Sequence, residues 1–195
     1  MTSRATKIDP HWNYFLAIER DLETLARYVE FDSRNFGCFS IEIARLLLAA
    51  GAEIDIVCKQ ICRQANPASK ADRIDRYRDV IGPLFPKFAT YSVLIPRFEL
   101  TLQPWEDWLK KDGVPPWWTA HNKIKHERAT EFGRANLKNT LDAVAGLFIA
   151  VLHLHINKAE HAELIPNPVM LRPHDSYYAG VSMGGLDNGI SYHLR

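Results

Sequence analysis

The chain has 195 residues, 47% hydrophobic and 24% charged, with a formal charge of +1. That length suits one domain burying about two-thirds of the surface its unfolded form exposes, and the composition lies far from disordered or fibrous sequences. Near-zero net charge excludes an overall field that would draw nucleic acid or an anionic membrane, and leaves local patches as the place to look. Cys38, Cys58 and Cys62 are odd in number, and the last two fall in an apolar helical stretch, which fits reduced thiols rather than a disulfide scaffold. The opening MTSRATKIDPHWNYF has no apolar run of the secretory type, so the expected location is the cytoplasm.

From Pro10 to Glu30, Trp12, Phe15, Leu16, Leu22, Leu25, Ala26 and Val29 recur at helical spacing, with Glu19, Arg20, Glu23 and Arg27 assigned to other faces. Pro10 suits a first helical turn, with Asp9 as its cap. After the breaker FDSRNFGCF, Ser40 opens a helix that is apolar almost all round through Cys62, as a central helix should be. At 100° per residue, Glu42, Arg45, Ala49, Glu53 and Gln60 fall on one stripe of it, while Asp55 points elsewhere. Lys70 to Leu84 forms a shorter amphipathic helix that Pro83 and Pro86 end.

FATYSVLIPRFELTL, residues 88–102, is rich in β-branched and aromatic residues around Pro96 and reads as a small hairpin or extended segment. Trp105, Trp108, Trp117 and Trp118 lie in and around a proline-rich loop that folds over the core. Pro116 starts a helix running to about Phe132, which is expected to continue across a bend at Gly133 into the apolar helix Asn136 to Ile156. The most apolar stretch, Ala143 to Ile156, falls short of the ~20 residues needed to cross a bilayer, so it reads as buried and no membrane partner is expected. Beyond Pro166 and Pro168 the tail is rich in Gly, Ser and Tyr and is expected to be irregular, with a short strand pair at most. The organisation is thus all-α, a helical domain over residues 1–165 with a tail over 166–195.

His121, Asn122, Lys123, Ile124, Lys125, His126, Glu127 and Arg128 form the most chemically suggestive run. On a continuous helix His121, Lys125 and Arg128 share a face and Asn122 stacks under His126 on the next. A neutral imidazole takes up a proton and adjacent cations hold a phosphate, the equipment of metal-independent RNA cleavage. The competing reading is a polar network in which these side chains answer the charged stripe of Glu42, Arg45 and Glu53, since unpaired buried charge is costly. No metal site is expected: His153 and His155 point to different helix faces, His161 adds no matching acid, and Cys58 and Cys62 read as packing. GVSMGGLDNG lacks the strand and helix that frame a phosphate loop, no serine sits on a hydrolase-type elbow, and no cofactor is expected.

SIEIARLLLAAGAEIDIVCK followed by HNKIKHER ahead of RANLKNTLDAVAGLFIAVL resembles the HEPN superfamily of small all-α domains, across roughly Pro10 to Asn157. Many members of that superfamily cleave RNA or bind nucleotides, often as dimers that join two copies of a motif pairing an Arg and a polar residue with a His a turn onward. The resemblance implies His126 as the motif histidine and Asn122 as the polar residue, with His121 standing where the arginine is expected. It implies His126, Asn122 and His121 as catalytic residues, Lys125 and Arg128 as phosphate or nucleotide contacts, RNA or a nucleotide as partner, and a homodimer. Replacing a guanidinium with an imidazole removes a bidentate phosphate holder. A non-catalytic helical dimerisation or interaction module is therefore the alternative.

Overall fold

The computed structural model describes residues 9–182 and 188–195. The residues before Asp9, on which the absence of a signal-like run was read, and the centre of GVSMGGLDNG lie outside them. Helices dominate, accompanied by small antiparallel sheets.

α1 (Pro10–Leu25) begins with proline at its first turn, where the missing N–H forfeits no helical bond. Asp9 occupies the cap position without capping: its carboxylate meets Lys158 Nζ at 2.5 Å instead. α2 (Ile41–Ala65) is capped as its sequence implies, the Ser40 hydroxyl accepting from the Ile43 N–H at 3.2 Å. α3 (Ile74–Leu84) starts later than the periodicity predicts and ends one residue after Pro83, whose missing N–H cannot bond the carbonyl four residues earlier.

α4 (Pro116–Glu131) and α5 (Leu137–Leu154) do not form one bent element. A short 3-10 turn at Phe132–Arg134 separates them, and Asn136 caps α5 afresh by accepting from the Asn139 N–H at 3.0 Å. α5 is long and apolar enough to cross a membrane by length and composition, and 83% of it is buried. It packs most extensively on α2, with α1 and α4 also against it. α6 (Ile156–Glu160) follows directly.

The expected hairpin is β1 (Val93–Ile95) with β2 (Leu100–Leu102), reversed through a 3-10 turn at Pro96–Phe98 and Glu99 at φ 52°. The segment expected to be irregular adds β3 (Arg172–Pro173) on the other edge of β1, giving the order β2-β1-β3. It also pairs β4 (Tyr178–Ser182) with β5 (Gly189–Tyr192). Backbone groups in a docked segment need partners, and strand pairing supplies them.

The tryptophans lie inside. Trp105, Trp108 and Trp117 form one aromatic block over α5, where the Trp105 indole donates to the Gly146 carbonyl at 3.2 Å and the Trp117 indole to that of Pro104 at 2.7 Å. Gly146 admits this block, because a Cβ there would stand 3.3 Å from the Trp117 ring.

One sequence assignment is corrected in α1. Glu19 shares the inward face with Trp12, Phe15 and Leu22, since it follows Trp12 by two turns, and it is only 2% exposed. Its carboxylate accepts the backbone N–H groups of Val169 (3.0 Å), Met170 (2.8 Å) and Leu171 (2.8 Å), and so anchors the tail across the helices. Burial raises its pKa, opposed by those three donors. Glu19→Ala leaves three inward amides without an acceptor, so equilibrium urea unfolding should show a loss of about 2–3 kcal/mol, with Glu19→Gln losing less because one acceptor oxygen survives. An unchanged midpoint for Glu19→Ala would contradict this role.

Candidate functional site

α4 decides where the His121–Arg128 run goes. Trp117, Trp118, Ala120, His121 and Ile124 turn inward at helical spacing, while Lys125, His126, Glu127 and Arg128 are exposed. The predicted face of His121, Lys125 and Arg128 is therefore divided, His121 inside and the two cations outside, while Asn122 is partly and His126 fully exposed.

His121 is 4% exposed and lies flat against α2 at Gly51, where an added Cβ would stand 2.5 Å from the imidazole. The Trp118 ring lies 5.5 Å away between centroids, and the His121 Nδ1 has no hydrogen-bond partner among the described residues. Burial, reinforced by Lys125 and less by His126 and opposed by Asp55, pushes its pKa down to about 4. The ring is thus neutral at pH 7 and turned away from solvent, so it cannot take the place of a phosphate-binding arginine. Because its folded pKa lies below the free imidazole value, the stability it contributes is complete above about pH 6.5 and is lost as the pH falls toward 4.

Asn122 and His126 do share a face, as projected. With Trp118, Thr119, Lys123 and Glu127 of the same helix they line a shallow groove, together with Ile74 at the start of α3 and Val114 from the loop before α4. The Asn122 amide makes no hydrogen bond among the described residues. Lys123 Nζ meets both carboxylate oxygens of Glu127, at 2.9 and 3.0 Å.

Glu127 leaves helical geometry, at φ −131° and ψ 38°. The Thr130 hydroxyl donates to the Glu127 carbonyl at 3.2 Å, a local bond of the kind that competes with the helical ladder. The break resets the helical phase, so Arg128 does not continue the His121–Lys125 face as a 100° projection has it. Lys125 and Arg128 are both exposed and, among the described residues, neither is in an ion pair.

The supporting stripe faces α1 rather than α4. Arg45 bridges Glu42 (2.8 Å) and Asp21 (2.9 Å) at the surface. Glu53, 8% exposed, meets His11 Nδ1 at 2.6 Å, and His11 Nε2 meets the Gln60 amide at 2.7 Å. The stripe exists as read, and its answering groups, His11 and Asp21, were missed because neither stands out in α1. The acid of α2 that His121 feels is Asp55, whose carboxylate accepts from the Tyr77 hydroxyl at 2.6 Å and pairs with Lys59. Gly51 was the available signal for the seat of His121: a glycine inside a long core helix marks a close approach.

The three late histidines are accounted for separately. His153 and His161 each spend Nδ1 on the carbonyl four residues earlier, and His155 lies 3.7 Å from Asp9. No group of three metal-ligating side chains gathers among the described residues.

Gly51→Ala should destabilise by about 1–3 kcal/mol through the clash with the imidazole. The clash disappears in Gly51→Ala with His121→Ala, so the double variant should lose less than the sum of the singles by thermal denaturation. Strict additivity would mean that the two positions do not meet.

Compared with known proteins, the chain matches no family model, no curated protein and no solved structure.

Proposed function

We propose that this chain is a HEPN-like helical protein that binds RNA or a nucleotide through the outer side of α4. The observation that carries the reading is that His126 is exposed and lines a groove with Asn122, next in the chain to the exposed Lys125 and two residues before the exposed Arg128, neither of which is in an ion pair among the described residues. Unpaired surface cations next to a titratable imidazole are the elements of phosphate recognition. The placement favours binding over cleavage. His126 is available for proton transfer, whereas the second imidazole of the run, His121, is buried and neutral. In this reading His126, Asn122, Lys125 and Arg128 form the site and His121 seats the helix.

The alternative, a non-catalytic dimerisation module, is favoured by a different observation. Ile41 and Phe39 are 77% and 53% exposed at the start of α2, beside Phe132. The two readings separate in one series of measurements. Fluorescence anisotropy of a short labelled single-stranded RNA should show saturable, salt-sensitive binding. Lys125→Gln with Arg128→Gln should lower the slope of log affinity against log salt by about 1.4, since each single-strand phosphate contact contributes ~0.7. Absence of binding, together with a dimer in sedimentation that Ile41→Asp dissolves, would overturn the RNA reading in favour of the module.

A further inference from the structure

The lining of the groove is of two kinds, and the mixture specifies an occupant. Ile74 and Trp118, each 8% exposed, and Val114, 39% exposed, are apolar, while Thr119, Asn122, Lys123, His126 and Glu127 are polar. A ligand that fits has an apolar face and a polar edge and is small, because the open groove offers about 320 Å³, the low end of the ~300–1,000 Å³ typical of ligand sites.

We propose that this groove receives a single unpaired nucleobase, a reading that rests on the RNA or nucleotide function assigned above. The base lies against Ile74, Trp118 and Val114 and turns its edge to Asn122. The Asn122 amide, uncommitted among the described residues, supplies one donor and one acceptor, the pair that matches adenine N7 and N6. Glu127 offers a second acceptor at small cost, since its pairing with Lys123 is half-exposed and such pairs are weak. The phosphates attached to that base then run toward His126, Lys125 and Arg128. Bases within a duplex are stacked and paired and cannot enter, so the occupant is a base of a single strand or of a free nucleotide.

The test uses the full chain and anisotropy of labelled oligoadenylate, alone and annealed to its complement, with AMP as the competing free nucleotide. The single strand should bind about 10-fold or more tighter than the duplex. Val114→Asn, at an exposed position, should weaken single-strand binding about 5-fold while leaving the salt slope unchanged, as expected when a base contact rather than a phosphate contact is lost. Thr119→Gln, exposed on α4, fills part of the groove and should act alike, and a thermal melt of each variant reports folding. Displacement by AMP places a free nucleotide in the groove, and resistance to AMP alongside strand binding places there a base of a chain. Equal binding of duplex and single strand, or parent-like binding by both variants, overturns this inference and leaves the RNA reading standing. No binding of any probe overturns both.

Discussion

Gly51 lets α4 lie so close to α2 that an imidazole fills the space where a side chain of α2 would stand. That contact fixes the rotation of α4. With His121, Ile124, Trp117 and Ala120 inside, the 3.6-residue period carries Asn122, Lys123 and His126 outward. A polar run that reads as two adjacent faces is thereby divided instead into a buried imidazole, His121, and an exposed remainder. The helical break at Glu127 then sets Arg128 on a course of its own. The proposed binding surface is the consequence of this rotation together with the groove left between α4, the start of α3 and the Val114 loop.

Polar groups at buried and half-buried positions join segments far apart in the chain, and each join is a satisfied contact. Glu53 meets His11, Asp55 meets Tyr77, and Glu19 gathers three amides of the tail. Desolvating such groups is costly unless partners are supplied, so these contacts specify how α1, α3 and the tail dock on the apolar pair α2 and α5. The tail is consequently part of the fold: it completes the sheet through β3 and buries Tyr192 and Leu194.

Much of this was legible in the residues. Apolar periodicity located the main helices, Ser40 marked the start of α2, and the aromatic and β-branched run at 88–102 contained the hairpin. The side-chain stripe on α2 was legible too, because helical geometry alone places Glu42, Arg45 and Glu53 together. What projection cannot supply is the partner across the gap, and so the stripe was matched to α4 when its partners lie on α1. Asp9 and Glu19 were misplaced for a related reason. Propensity makes Asp a cap and Glu a surface residue, while tertiary contacts with Lys158 and the tail amides outweigh those local preferences. The short tail strands lack the alternation that would announce them.

The central claim is that His121 seats the helix and His126 meets the ligand. Carbon-detected NMR of histidine side chains, followed through a pH titration and through addition of single-stranded RNA, reads both rings in one sample. His121 should stay neutral until the pH approaches about 4 and keep its resonance as RNA is added, while the His126 resonance moves. A His121 that titrates at the ordinary imidazole pH and shifts with RNA alongside His126 would contradict it.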